Sequence, residues 1–182
     1  MTALDIKDFN QRREDVADLH QLLAFFYLMQ PGGFSFSASD LLGTVNKQPL
    51  NLMGPNENAL YPSLPGQLTN PKSFAMRLRK MISVRRENNL DKGALIGIPK
   101  TASPGLMLLI YQLPNHMLQL LAINLAEVAA THTLEIPAIR NTSAIDLMTG
   151  LAEPKPLDST QLRLTLAPFS GKVVLFQTKY YD

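Results

Sequence analysis

The side chains that could perform chemistry in this sequence do not form a catalytic pattern. The chain has 15 Asp and Glu residues, three His and no Cys. No acidic residue lies in an Asn-His-Asp or similar phrase, and His20, His116 and His132 are too far apart to show the spacing of metal ligands. The lack of Cys excludes disulfides, thiolate zinc sites and a Cys nucleophile. We therefore expect no metal site and no cofactor, and a small enzyme of unrelated type has no support.

A cationic group falls within a predicted helix and raises the question of nucleic-acid binding. Its members are Arg77, Arg79, Lys80, Arg85 and Arg86. Arg85 and Arg86 would lie in the last turns, where positive charge complements the helix dipole. The net charge of the chain is only +2. We interpret the group as a solvated helix face and expect no nucleic-acid partner.

Aromatic side chains offer a second possible function, because they can stack on sugar rings. The candidates are Tyr61, Tyr111, Tyr180 and Tyr181. Trp, the usual stacking residue, is absent. A glucan-binding surface is therefore retained as an alternative.

The hydropathy pattern bears on location. No apolar run reaches the ~18 residues that span a bilayer, and the N-terminus lacks the apolar stretch of a signal peptide. We expect a cytoplasmic protein with no membrane partner.

The first predicted element is an amphipathic helix over residues 14–29. Its apolar residues recur at steps of three and four. They are Val16, Leu19, Leu22, Leu23, Phe26 and Met29. Phe25, Tyr27 and Leu28 widen this stripe, so we expect the C-terminal end to be buried on most sides. Pro31-Gly32-Gly33 ends the helix.

A second helix is predicted to begin with Asn70 as N-cap and Pro71 at the first helical position. Its apolar stripe is Phe74, Leu78, Met81 and Ile82. Between the helices, residues 34–38 alternate apolar and small polar side chains, which predicts a short strand. Residues 41–69 lack periodicity and form a long connection.

Beyond Asn89 the pattern changes from helical to extended. Strands are predicted at 94–98, 106–112, 118–125, 131–136, 144–147, 162–166 and 173–177. Proline occurs between these runs, where a missing N–H costs no ladder hydrogen bond. Short strands with turn signals at this spacing are typical of a β-sandwich. The sequence therefore predicts an α+β protein with a boundary near residues 88–92.

Two polar residues of the strand region have predicted local roles. Asn124 lies inside a strand, and we expect its side chain to hydrogen-bond a neighbouring turn. Asp146 precedes Thr149-Gly150, and we expect it to set that turn through the backbone.

Several motifs occur in a specific order. Residues 30–43 contain Pro-Gly followed by aromatic residues and Asp40, residues 61–68 lead into the second helix, and residues 81–86 form its end. Further motifs follow at 122–125, 146–150 and 166–169. Together they resemble the C-terminal end of the α-amylase superfamily, glycoside hydrolase family thirteen. The resemblance is closest to its trehalose synthase-like branch, the maltose glucosyltransferases, from which the first motif departs at Gly33, Phe36 and Ala38.

The resemblance implies that residues 1–90 are the last α/β segment of a (β/α)8 barrel. Residues 91–182 would be the C-terminal antiparallel sandwich of the amylase type. A whole barrel needs about 250 residues, and the family's three catalytic carboxylates would lie upstream of residue 1. We therefore expect no catalytic residue here. Asp40, just past the last barrel strand, would face the sugar pocket of the intact enzyme, or alternatively would cap the following turn.

We expect the chain to be the non-catalytic part of a trehalose synthase-like glucosyltransferase or glycosidase acting on α-glucosides. Its partner would be the catalytic barrel, which it would stabilise. The alternative is a stand-alone module that binds α-glucan or another protein. Because two helices of a barrel leave apolar surface to cover, we also expect a homodimer or a rearranged N-terminal half.

Overall fold

A computed structural model describes residues 13–44, 51, 53–54 and 59–178. Within these residues the α-helices are α1 (Arg13–Leu28), α2 (Ala38–Leu42), α3 (Leu64–Leu68) and α4 (Phe74–Glu87). The strands are β1 (Ala94–Gly97), β2 (Leu106–Gln112), β3 (Leu118–Asn124), β4 (Ala130–Glu135), β5 (Thr142–Asp146), β6 (Gln161–Leu166) and β7 (Ser170–Thr178). Single turns of 3-10 helix cover Leu90–Lys92, Pro114–His116 and Pro137–Ile139.

The described strands all pair antiparallel, in two sheets. The larger has five strands in the order β1-β2-β3-β7-β5, and the smaller pairs β4 with β6. The predicted combination of helices and antiparallel sheets is confirmed, and each of the seven strands predicted beyond Asn89 lies within a few residues of an observed one. Within the described part of the chain, no helix combines the length and apolar character that crossing a bilayer requires.

The centre of the five-stranded sheet is buried on both faces. Every residue of its central strand β3 is buried. Because successive side chains of a strand point to opposite faces, β3 contributes to two cores. Leu121 and Ile123 belong to the core shared with α1 and α4. Leu120 and Ala122 belong to the core shared with the β4–β6 sheet. The described fold therefore has three layers.

The helical layer is formed mainly by α1 and α4. Their buried apolar residues share one core with the facing strands. The residues of this core include Leu22, Phe25, Leu28, Phe74, Leu78, Met81, Tyr111, Val173 and Leu175. The predicted boundary at 88–92 falls at the turn Leu90–Lys92. Since the core joins residues on both sides of that turn, the division into domains stays a prediction.

The strand predicted over residues 34–38 is wrong. These residues are irregular until α2 begins at Ala38. The Ser37 hydroxyl accepts from the Asp40 N–H at 3.3 Å, and the Asp40 carboxylate accepts from the Ser37 N–H at 2.7 Å. This reciprocal capping box starts a helix. It outweighs the short alternation of Phe34 and Phe36.

The predicted start of the second long helix is also wrong. Ser73, rather than Asn70, is the N-cap, and its hydroxyl accepts from the Met76 N–H at 3.3 Å. Asn70 instead accepts from the Lys72 N–H at 2.9 Å and sets the preceding turn. The short helix α3 lies inside the predicted connection 41–69. Residues 45–50, 52 and 55–58 of that connection lie outside the described residues.

Three residues expected in the buried stripes are exposed. Leu23 is 48% exposed, Tyr27 is 61% exposed and Ile82 is 40% exposed. The layer has strands on one side only, so each helix buries a single face. The expectation that the end of α1 is buried on most sides is therefore wrong.

The roles predicted for the two polar strand residues are confirmed. The buried Asn124 amide donates to the carbonyls of Val128 and Ala167 at 2.8 and 2.9 Å. The Asp146 carboxylate accepts from the N–H groups of Met148 and Thr149 at 2.8 and 3.3 Å. Both side chains fix turns beside the five-stranded sheet.

Gly171 on β7 permits the close approach of α1 to the sheet. A Cβ atom built on Gly171 would overlap the ring of Phe25, which is buried. We expect Gly171→Ala to lower the free energy of unfolding by ~2 kcal/mol, the usual cost of overpacking a core. Urea denaturation measures the change. Gly33→Ala is the control, because a Cβ there meets nothing within 4 Å. Equal stabilities of the two variants would contradict the expectation.

Candidate functional site

The structure places Asp40 in the third position of helix α2, rather than after a strand. Its half-buried carboxylate accepts from the backbone N–H of Ser37 at 2.7 Å and from the Ser37 hydroxyl at 2.9 Å. These bonds hold the carboxylate against its own helix terminus. Within the described residues, the Asp40 carboxylate therefore caps α2. A role of Asp40 beside a sugar pocket stays a prediction.

His20, Tyr61 and Phe74 form a cluster between α1, α4 and the segment before α3. The Tyr61 ring stacks on Phe74 with centroids 4.7 Å apart. The Tyr61 hydroxyl donates to the Ala17 carbonyl at 3.1 Å and lies 3.0 Å from Nδ1 of His20. Burial lowers the pKa of His20, and the charge of Asp40 opposes that shift. Burial raises the pKa of Tyr61. The phenol therefore stays protonated at neutral pH, and the cluster joins the helices by packing and hydrogen bonds.

Arg85 makes an extensive polar contact within the helical layer. This side chain is only 6% exposed, although it lies near the end of α4. One guanidinium nitrogen donates to the Leu28 carbonyl at 2.6 Å and to the Gln30 carbonyl, and the other donates to Gly32. Burial lowers the pKa of Arg85, and Asp91 opposes that shift. The last turn of α1 has no basic residue of its own. Arg85 supplies the positive charge that a helix C-terminus favours.

Neighbouring groups of the same turn are also hydrogen-bonded. The Gln119 amide on β3 donates to the Met29 carbonyl at 2.5 Å. The Gln30 amide donates to Phe26 at 3.2 Å, and the Gly32 N–H donates to the Asp91 carbonyl at 3.1 Å. Since the last carbonyls of a helix have no partner inside it, α4 and β3 supply the donors that α1 lacks.

The predicted solvated face of α4 is wrong at Arg85. The other members of the cationic group, Arg77, Arg79, Lys80 and Arg86, are exposed. Arg85 follows Leu78 by seven residues and Met81 by four, so it lies on the buried stripe of the helix. That spacing is the signal in the sequence that could have identified Arg85 as buried.

The tyrosines considered for sugar stacking do not form an exposed surface where they are described. Tyr111 is buried, and Tyr61 is half-buried against Phe74. Tyr180 and Tyr181 lie outside the described residues. Among the residues that the structure describes, no group of three His, Asp or Glu side chains could hold a metal ion.

Known protein structures share this architecture, although their sequences differ from that of this chain. No protein-family model matches the sequence, and no curated protein matches it. Solved α-amylases match the fold. That of Anoxybacillus aligns over 90% of this chain with a TM-score of 0.63 and 13% identity. That of H. orenii aligns over 88% with a TM-score of 0.64 and 16% identity. AmyP, solved with maltotriose, aligns over 87% with a TM-score of 0.63 and 14% identity.

The fold is α-amylase-like. The aligned region is 33% of the Anoxybacillus chain, 36% of the H. orenii chain and 34% of AmyP. This chain therefore spans about a third of the length of these structures. At such identities the likeness shows the fold alone, because a fold does not carry its function with it.

The Arg85 contact predicts a stability effect at one buried cation. Arg85→Met leaves the Leu28 carbonyl buried without a donor and removes the bonds to Gln30 and Gly32. We expect a loss of ~3 kcal/mol in the free energy of unfolding, because hydrogen bonds from charged groups are the strong ones. Arg86→Met, at the adjacent exposed position, should change stability by less than ~0.5 kcal/mol. Similar losses in both variants by urea denaturation would refute the assignment.

The His20 cluster predicts a dependence of stability on pH. The pKa of folded His20 lies below the ordinary value of 6.5, so between the two values the folded state binds fewer protons than the unfolded state. Its contribution is complete above pH 6.5 and is lost as the pH falls through the folded pKa. We expect the His20→Gln variant to lose less stability than the unchanged chain when the pH falls. Urea denaturation at pH values from 8 to 5 measures this difference. His116→Gln, at an exposed histidine, is the control. An unchanged pH profile in His20→Gln would contradict this expectation.

Proposed function

We propose that this chain is the C-terminal, non-catalytic part of a trehalose synthase-like glucosyltransferase or glycosidase that acts on α-glucosides such as maltose and trehalose. In this proposal residues 1–90 are the last α/β segment of the catalytic barrel, and residues 91–182 are its C-terminal sandwich. The proposal rests on one observation. Most of this chain aligns with α-amylase structures, but the aligned region is only about a third of the length of those structures. The ordered motifs from residues 30–43 to 166–169 support the trehalose synthase-like branch.

The packing supports a role in stabilising a larger body. The core of α1 and α4 continues into the sheet through Leu121, Val173 and Leu175, so the helices are held on a rigid base. Apolar side chains on α1, on β1 and directly after β1 are exposed. They are Leu23, Tyr27, Leu95, Ile96 and Ile98. Exposed apolar surface of this kind marks interaction sites, and in this proposal the barrel covers it.

The proposal assigns the chemistry to residues outside this chain. Retaining glycosidases use two carboxyl groups about 5 Å apart, one as nucleophile and one as acid and base. In barrel enzymes these groups lie at the C-terminal ends of the strands. No residue of this chain has a catalytic role in the proposal, and no cofactor is required. Asp40 keeps its proposed position beside the sugar pocket of the complete enzyme.

The alternative is a stand-alone module that binds α-glucan or a protein. One observation favours it, which is the exposed ring of Phe34 beside a pocket with polar walls. A homodimer that covers the exposed apolar side chains and the cytoplasmic location both stay predictions.

The test compares the isolated chain with the native protein. We expect purified chain to show no turnover of maltose or trehalose above buffer. In native cells, an antibody against the chain should detect a protein well above 20.2 kDa, or the 20.2 kDa chain bound to a barrel. Turnover by the purified chain that disappears in Asp40→Asn would contradict the non-catalytic assignment. A native protein of 20.2 kDa without a barrel partner would refute the proposal and favour the stand-alone module.

A further inference from the structure

A groove of about 450 Å³ lies where α1 and the first half of α4 meet two turns of the five-stranded sheet, one after β5 and one before β7. The volume falls in the range of small-molecule sites, roughly 300–1,000 Å³. The walls come from four separate parts of the chain, so the surface between them is concave. Its lining combines three cations with apolar side chains.

The positive charge of the groove comes from Lys72, Arg77 and Lys80, which belong to α4 or to the turn before it. Among the described residues of the lining, Asp18 is the one acidic side chain. Three cations against one carboxylate leave a formal charge of +2. The net charge of the whole chain is also +2, so the groove holds an excess as large as that of the entire molecule. A cleft lined mainly by one sign of charge concentrates ligands of the opposite sign.

These cations are not neutralised by ion pairs within the described part of the chain. There, Nζ of Lys72 and Nζ of Lys80 make neither a hydrogen bond nor a salt bridge. Arg77 donates to the side-chain oxygen of Gln21 on α1, which carries no charge. The first turn of α4 also has no acidic residue to offset the positive end of the helix dipole. The groove therefore attracts an anion.

The apolar part of the groove is formed by side chains that pack on the helical core. Leu22, Phe25 and Met81 are buried, and Met148 and Phe169 are half-buried. The flexible thioether of methionine adapts to apolar ligands of different shapes and makes favourable contacts with aromatic rings. A ligand with an apolar body would therefore remove apolar surface from water here.

Phe169 lines the groove from a backbone conformation that bulky residues rarely adopt. Its φ of 45° lies in the left-handed region. Hydrogen bonds hold this turn in place. The Phe169 N–H donates to the Ala126 carbonyl at 3.3 Å, and the Ala167 carbonyl accepts from the Asn124 amide at 2.9 Å. Residues held in such conformations are concentrated at ligand sites.

The lining distinguishes between ligand classes. A neutral apolar ligand would take Lys72 and Lys80 partly out of water without giving them a partner, which is costly. An inorganic anion would leave Met148 and Phe169 uncovered, and a cation would be repelled by the net positive charge. An anion with an apolar body suits both the cations and the apolar side chains.

We propose that this groove binds a small organic anion. Its carboxylate or phosphate lies against Lys72, Arg77 and Lys80, and its apolar body lies on Met148 and Phe169. Both head groups accept the charge-assisted hydrogen bonds that Lys and Arg donate. The site holds the ligand and performs no chemistry. Binding of such an anion goes beyond the proposed function and does not depend on it.

The test is an NMR titration of the full chain with octanoate, which reports binding residue by residue. We expect a dissociation constant on the order of 1 mM and the largest shifts at the residues of the groove. Octanamide lacks the charge and acetate lacks the apolar body, so each should bind about tenfold more weakly. Raising the salt concentration to about 0.5 M should also weaken octanoate binding, because exposed charges are screened. A parallel titration with octyl phosphate shows which head group binds more tightly.

Matched variants separate the groove from the rest of the surface. Lys72→Gln and Lys80→Gln should each weaken octanoate binding about threefold, the usual size of an exposed charge pair. Both side chains are exposed, so these variants should keep the fold. Arg79→Gln is the control, because Arg79 is an exposed cation of α4 outside the lining. Met148→Ala should also weaken binding about threefold, whereas Met53→Ala, at an exposed methionine outside the lining, should not.

Several outcomes would overturn the proposal. One is the absence of shifts at about 10 mM octanoate. Another is equal weakening in Arg79→Gln and Lys80→Gln, which would show a general attraction of anions to the positive surface. Equal binding of octanamide would show that the groove does not recognise the charge. A capped Glu-Leu-Phe-Glu peptide that binds the same residues more than about tenfold more tightly than octanoate would reassign the groove to an acidic protein partner.

Discussion

The structure depends on one buried cation placed against the end of a neighbouring helix. Arg85 of α4 bonds the carbonyls of Leu28, Gln30 and Gly32, which follow one another where α1 ends. Leaving the buried Leu28 carbonyl unpaired would cost ~1–3 kcal/mol, so the contact fixes how the two long helices meet. It also fixes the chain beyond α1. The Gly32 N–H then reaches Asp91, and Phe34 comes to lie beside the guanidinium.

The turn after α1 also contacts the sheet, so the positions of the helices and the strands depend on each other. Gln119 on β3 bonds the Met29 carbonyl, and Gly171 on β7 leaves room for the Phe25 ring. β3 is buried on both faces because it separates the helical layer from the β4–β6 sheet. An error in the position of α1 would therefore disturb the sheet as well as the turn. This coupling explains why an arrangement that covers only a third of the similar α-amylase structures has a continuous core.

Several polar side chains of the helical layer make hydrogen bonds that hold the fold together. Asp40 bonds its own helix terminus, and Tyr61 bonds the Ala17 carbonyl. Arg86 and Asp91, whose side chains make no hydrogen bond within the described part of the chain, lie around the exposed ring of Phe34.

The sequence by itself determined the local elements. Periods of 3.6 and 2 located α1, α4 and the strands, and the side-chain chemistry of Asn124 and Asp146 predicted their turns, because these signals depend on near neighbours in the chain. The sequence also misplaced elements where two local signals competed, as when the Ser37–Asp40 capping box overrode the alternation of Phe34 and Phe36. Only the tertiary structure decided which face of each helix is covered. Leu23 and Ile82 are exposed while Arg85 is buried, because burial depends on the layer that packs against the helix. The pocket beside Phe34 was equally invisible in the sequence, since its lining residues Phe34 and Asp91 are far apart in the chain and come together only in the folded structure.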